Sequence, residues 1–316
     1  MQRFDITIAG EVNLDLIFYG LAEQMPLDRE LIANDFRLTL GSSSGILAHN
    51  LSTLGMKVGF ITRTGSDPLG AIALDRLREA KVDTSRSTSS QQTTTGVTIV
   101  LHHGDTRHIL TWPGTMAEMS IDDIDIDYLK QSRHFHISSL FLQKRLKPSL
   151  PALCRELKSA GLTISLDTND DPADEWSFPL HELLDTIDIL LPNEDEAVRM
   201  TFTEDIEEAI TRLSKRVPVI AVKRGSRGCT VQSNITGATK RLRIPPLSVV
   251  PVDTIGAGDS FNAGFLKGYL QGRPLAECGA MGNATAALST LRSGGTEAFR
   301  DSSLLHEFLA FHNVLD

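Results

Sequence analysis

Six short apolar runs recur along the chain: ITIAG at 6–10, KVGFIT at 57–62, HFHIS at 134–138, LTISLD at 162–167, DILLP at 188–192 and PVIAVK at 218–223. Runs with so few polar interruptions suit strands covered on both faces, as in a parallel sheet. Between them the apolar spacing lengthens to that of a helix, which predicts helices over 69–80, 121–131, 148–160 and 205–215. In SDPLG, Asp67 stands where it can cap the first helical amides, and Pro68 falls on the first helical position. Strand and helix in alternation predict an α/β fold, a doubly wound and mostly parallel sheet.

Two stretches break this rhythm. Residues 12–40 and 93–114 hold alternating patterns, such as TTGVTIV and TRHILTW, and little helix. Within them HHGDTR, at 102–107, has a Gly-Asp pair that reads as a hairpin turn. These pieces are expected to pair into a small β-sheet, a lid over the strand ends of the main sheet. The whole chain, 1–316, then forms a single domain with that lid. The last third reads as helical over 258–272, 275–292 and 302–312, interrupted by the glycine turn RSGGTEAF.

Composition narrows the partners. With a formal net charge of −9 and no run rich in Lys or Arg, nucleic acid is not an expected ligand. No apolar run is long enough to span a bilayer, and no charged-then-apolar segment opens the chain. The three cysteines lack metal or redox spacing, so a reduced, cytoplasmic setting is expected. His134 and His136 share one face of a strand, a spacing that can hold a metal. No third ligand accompanies them, so packing or hydrogen bonding is the expectation.

The densest chemical signal is DTIGAGDSFNAGF, Asp253 to Phe265. Phe261, Phe265 and Tyr269 mark an inward helix stripe, which places Gly256, Ala257, Gly258 and Asp259 at the helix start. The first amides of a helix lack internal partners and carry partial positive charge, and small residues let an anion approach them. A carboxylate at the same spot repels an anion, so it must face something else, such as a hydroxyl about to attack. Amides for developing negative charge with an acid to take a proton describe a phosphoryl-transfer centre. The spacing alone also admits a plainer reading, a glycine turn with an aspartate on the helix dipole. There is no Walker A pattern and no dinucleotide-binding glycine fingerprint.

This stretch resembles the C-terminal signature of the ribokinase, or PfkB-type, carbohydrate kinase family. GEVNLD, GSDPLG, LPNEDEA, VKRGSRG and a closing GGT follow the family order along the chain. The resemblance implies an ATP-dependent kinase on a doubly wound α/β fold with a small β lid. It makes Asp259 the catalytic base and the amides of Gly256, Ala257 and Gly258 the anion hole. Asn193 and Glu196 would organise Mg2+ and the phosphates, Glu196 through water. Lys223, Gly225 and Gly228 would line the ATP phosphates and ribose, with Asn283 near the adenine. Asp15 and Asn13 would hold substrate hydroxyls, and a monovalent cation such as K+ is common among relatives. Read without the family, Asn193 with Glu196 is also a helix capping box, Asp15 a strand-end turn residue and Asn283 a helix polar.

One departure bears on the substrate. The family's Gly-Gly-x-x-x-Asn is GSSSGILAHN here, with Gly41 kept, Ser42 in place of the second glycine and Ile46 in place of the asparagine. Isoleucine makes no hydrogen bond, which leaves Asn50 or His49 as substitutes and puts ribose itself in doubt. Arg107, the one arginine of the second lid stretch, either reaches substrate or lies on a solvated lid face. The expected substrate is a sugar or sugar-like alcohol. A nucleoside kinase of the same family and a non-catalytic sugar- or nucleotide-binding regulator are the alternatives. Exposed lid edges would suit a homodimer.

Overall fold

A computed structural model describes residues 2–103, 106–235 and 240–312. In chain order the strands are β1 (Ile6–Ala9), β2 (Asn13–Tyr19), β3 (Asp35–Leu40), β4 (Val58–Ile61), β5 (Arg63–Gly65), β6 (Thr88–Ser90) and β7 (Gly96–His103). They continue as β8 (Thr106–Trp112), β9 (His134–Ser138), β10 (Thr163–Asp167), β11 (Ile189–Leu190), β12 (Val219–Lys223), β13 (Cys229–Ser233) and β14 (Lys240–Ile244). The main sheet has eight strands in the order β14-β13-β12-β11-β10-β9-β1-β4. The six from β4 to β12 run parallel, and each falls on one of the apolar runs. The antiparallel β13 and β14 extend one edge.

Helices cover both faces, as the two-faced apolar strands require. Ile6, Ile8, Phe60 and Val219 pack with Leu47, Phe265 and Leu288 on one side. Phe135, Ile137, Ile164 and Leu166 pack with Leu153, Leu183 and Ile210 on the other. The predicted helix at 69–80 is Pro68–Glu79, with Asp67 Oδ1 accepting from the Gly70 amide at 2.9 Å. The expected helix at 121–131 does not form as one element. Ser120 closes a capping box with Asp123, and Asp125 then caps the short helix Ile126–Leu129. Two local caps so close together restart the chain and break a continuous helix. Among the described residues no helix is long and apolar enough to cross a membrane.

The second sheet has four strands in the order β3-β2-β7-β8. Here β2 pairs antiparallel with β3 and parallel with β7, and β7 pairs antiparallel with β8. The Gly-Asp pair expected to turn the last hairpin, 104–105, lies outside the described residues. The strands flanking it pair His103 with Thr106.

His134 and His136 lie on the face of β9 that also presents Ser138, beside Thr163 and Ser165 of β10. Their rings join one buried chain. Thr163 Oγ1 lies 2.7 Å from His134 Nδ1, and Ser165 Oγ lies 2.6 Å from His134 Nε2 and 2.7 Å from His136 Nδ1. Ser138 Oγ ends it, 2.9 Å from His136 Nε2. Hydrogen bonding, not metal ligation, is thus their role. Burial pulls both imidazole pKa values down to about 3 and keeps the rings neutral. An unfolded histidine titrates near ~6.5, so between there and about 3 only the unfolded chain takes up these protons. Stability therefore falls as pH drops through that window. His136→Gln should remove about 1.4 kcal/mol per pH unit from the acid-side slope, read by urea unfolding between pH 6 and 4. An unchanged slope would contradict a neutral His136.

Candidate active site

The C-terminal ends of the parallel strands meet the N-terminus of the helix Ala257–Leu270. Gly256 precedes that helix in the left-handed region, with φ 71°, and a Cβ there would stand 2.5 Å from the Gly295 Cα. Only glycine fits such a turn. The first helical bond runs from the Ser260 amide to the Gly256 carbonyl at 2.9 Å. Among the described residues the amides of Gly256 and Gly258 have no acceptor, whereas Ala257 donates to the Thr254 carbonyl at 3.3 Å. Two of the three expected amides thus stand open as donors, and the third is engaged.

Charge is concentrated around these amides. Lys223, at the end of β12, holds its Nζ 2.5 Å from Oδ2 of Asp167, which ends β10 and is fully buried. Asn262 Nδ2, from the helix, donates to the same oxygen at 2.5 Å. The Lys223 side chain passes over Gly258, where an added Cβ would lie 3.6 Å from Nζ. Asp259 is only 8% exposed. Burial, then the Asp167 charge, pushes its pKa up to about 7 against the opposing pull of Lys223 and a Ser43 hydrogen bond. Glu196 rises to about 7 for the same two causes, burial and Asp167. Burial lowers the Lys223 pKa, but Asp167, Glu196 and Asp259 outweigh it and raise it.

Between β2 and the end of β3, Asn13, Asp15 and Gly41 form one tight corner. A Cβ on Gly41 would meet Asp15 Oδ1 at 2.1 Å and Asn13 Oδ1 at 2.4 Å, so the glycine makes room for both side chains. Asn13 Nδ2 donates to Thr98 Oγ1 at 2.7 Å, and its buried Oδ1 has no partner among the described residues. Burial, then Asp259 and Asp253, pushes Asp15 up to about 7. Two residues expected at the substrate place polar groups on protein partners. Asn50 is fully buried and donates to Ser260 Oγ and the Gly295 carbonyl, both at 3.0 Å, which ties its helix to the next one and to the glycine turn. Ser42 spends its hydroxyl on the helix Ser43–Thr53, accepting from the Gly45 amide at 2.8 Å and donating to the Glu11 carbonyl at 2.8 Å. Ile46 wedges its Cδ1 against Gly256 and Gly295.

After β11, Asn193 and Glu196 complete the capping box of the helix Glu194–Thr201. Glu196 Oε2 accepts from the Asn193 amide at 2.8 Å and Oε1 from Asn193 Nδ2 at 2.7 Å. Among the described residues no three carboxylate, His or Cys side chains converge as a metal cage. A hydrated Mg2+ bound through phosphate oxygens needs none. Gly225 and Gly228 take positive φ, 55° and 82°, in the turn after β12, and no atom lies within 4 Å of a Cβ on Gly225. Asn283 donates to the carbonyls of Ile244 at 3.2 Å and Pro245 at 2.8 Å, which anchors the end of β14.

The small sheet reaches the same loop. Arg107 Nη1 donates to Thr254 Oγ1 at 3.2 Å, so Arg107 is bonded rather than merely solvated. Asn262 and Tyr19 were not singled out in the sequence, and Asp167 stood out only as the start of DTND, 167–170, which resembles the Asp-Pro-Asn of the PfkB-type kinases but lacks the arginine that follows it there.

A family model described as pfkB family carbohydrate kinase matches residues 5–301, so the chain belongs to that family. It is a sugar or nucleoside kinase, a phosphotransferase with an alcohol group as acceptor. It is 32% identical over 248 residues to an uncharacterised sugar kinase of Archaeoglobus fulgidus, covering 78% of this chain and 96% of that protein. It is 29% identical over 275 residues to a cytidine kinase of Thermococcus kodakarensis, covering 85% and 93%. The structure of Arabidopsis thaliana ribokinase complexed with ribose and ATP matches with a TM-score of 0.80 at 25% identity, covering 97% of this chain and 98% of that one.

Removing one partner of a buried ion pair strands the other charge. Lys223→Met should therefore cost about 3 kcal/mol of unfolding free energy at pH 7, and adding Asp167→Asn should restore most of it. Equal stabilities for wild type and Lys223→Met in guanidinium titration would contradict the pairing.

Proposed function

We propose that this protein transfers the terminal phosphoryl group of ATP to a primary hydroxyl of a neutral sugar or nucleoside, with Asp259 as general base. The observation that carries this reading is Asp259, buried at a helix start beside the open amides of Gly256 and Gly258 and near enough to Asp15 to raise its pKa, with its own carboxyl pushed to about 7. Asp15 and Asn13 accept hydrogen bonds from substrate hydroxyls and aim one of them at Asp259. As the new oxygen–phosphorus bond forms, Asp259 takes the hydroxyl proton; a carboxyl near neutrality does this better than one near 4. The two amides and Lys223 stabilise the negative charge that develops on the moving group. ATP supplies the phosphoryl group, and Mg2+ neutralises its charge. Lys223, Gly225, Gly228 and Asn283 would line the nucleotide, and Glu196 would hold the ion through water.

The small sheet acts as the lid. It carries Asp15 and Arg107 to the site and excludes water, which suppresses hydrolysis of ATP. Asp259→Asn should keep nucleotide binding and lower turnover by about 10²–10⁴. ADP release should be measured over a panel of pentoses, hexoses, sugar acids, adenosine and cytidine. Turnover of Asp259→Asn near that of wild type would contradict the assignment. Binding without ADP release by the wild-type protein would mark a regulator instead.

The outer face of the lid also suits a second copy of this chain. Leu110 is 65% exposed, Trp112 58% and Phe36 46%, and every residue of β8 is exposed along the sheet edge. Light scattering should give the mass of a homodimer, and Leu110→Asp combined with Trp112→Asp should give a monomer with unchanged circular dichroism. A wild-type monomer at micromolar concentration would contradict this.

A further inference from the structure

Tyr19 is the last residue of β2, on the same face as Asn13 and Asp15, four residues beyond Asp15. Its hydroxyl donates to Asp253 Oδ2 at 2.8 Å. Asp253 is buried and is the hub of two loops. Its Oδ2 also accepts from the Gly294 amide at 3.1 Å, and its Oδ1 from the Ile255 amide at 3.0 Å. The first bond fixes the glycine turn that packs on Gly256, and the second fixes the entry to the Gly256–Asp259 helix start. The ring of Tyr19 is itself held, stacked on His102 with centroids 4.8 Å apart. Arg107 makes a second bridge, to the next residue, Thr254. The small sheet therefore touches the loop of the open amides through side chains that share its cleft face.

We propose that Tyr19 is a positioning residue: its hydrogen bond to Asp253 sets the loop that carries the Gly256 and Gly258 amides, and so links the closed small sheet to an assembled anion site. The substrate corner and the latch sit on one strand. Hydroxyls engaging Asp15 hold β2 in the place where Tyr19 reaches Asp253. Without that bond the loop keeps its main-chain anchors and the exposed Arg107–Thr254 contact, but loses its buried side-chain tie to β2 and samples positions in which the amides point away from the site. The inference rests on the reading of Asp259 and its loop given above.

The ligand-free protein provides the first test, by hydrogen–deuterium exchange of segments 253–260 and 292–296. Tyr19→Phe removes the hydroxyl and keeps the ring. Exchange in both segments should become about tenfold faster, the effect of one lost hydrogen bond of ordinary net strength, while β9 and β10 stay unchanged. In an Asp253→Ala background Tyr19→Phe should add nothing. The second test uses ATP, Mg2+ and the acceptor turned over fastest in the panel above. There Tyr19→Phe should lower kcat about tenfold and leave KM for that acceptor within about twofold, a split that loss of folded protein or of substrate contacts would not produce. Wild-type exchange in both segments, or an equal effect of Tyr19→Phe with and without Asp253, would overturn the latch. If Asp259→Asn retains turnover, the reading of the base fails, and the exchange result still decides the latch.

Discussion

One ammonium holds this site together. Lys223 is the cation buried among Asp167, Glu196 and Asp259, and only Asp167 pairs with it directly. The remaining carboxylates are short of positive charge in a region with little water. Burial and mutual repulsion are expensive there, and the carboxyls respond by holding their protons near neutrality. On the proposed reading, that shortage is what prepares the site for its ligands. A donor hydroxyl, open main-chain amides and a cation arriving with phosphate each relieve part of the strain. The same charges that weaken the empty fold thus favour a polyhydroxyl substrate and a metal-bound nucleotide.

The fold supplies this arrangement by topology. Parallel strands place their C-terminal ends on one edge, so Asp167 and Lys223 arrive from β10 and β12 although 56 residues separate them. The helix that follows the glycine turn then aims its unpaired amides at that edge. The small sheet lies across the same edge, because β2 leaves β1 after only three residues. Asp15, Tyr19 and Asp259 are therefore brought to one surface by short connections.

The central sheet was legible because its strands are apolar on both faces. The antiparallel strands β13 and β14 were not. CTVQS and KRLRI mix polar and apolar residues, a pattern that competes with loops, although β13 is buried between β12 and β14 and only β14 carries exposed residues. The helix expected at 121–131 failed for a local reason, since periodicity does not register competing caps at Ser120 and Asp125. At the site, glycines next to an acid at a helix start are a strong local signal. Asp167 carries a weaker one, because its meaning comes from Lys223 on another strand. Asn50, one turn past Ile46, points at Ser260 on the neighbouring helix and at the Gly295 carbonyl, a direction that linear spacing does not encode.

The most direct measurement is the titration of the Asp259 carboxyl carbon by NMR in the ligand-free protein, assigned by its loss in Asp259→Asn. A buried acid close to the Asp167 charge should titrate well above an ordinary aspartate, with a midpoint near 7. A midpoint near 4 would show a solvated carboxylate at a helix end, and the account of the site as a charge-strained phosphoryl-transfer centre would be wrong.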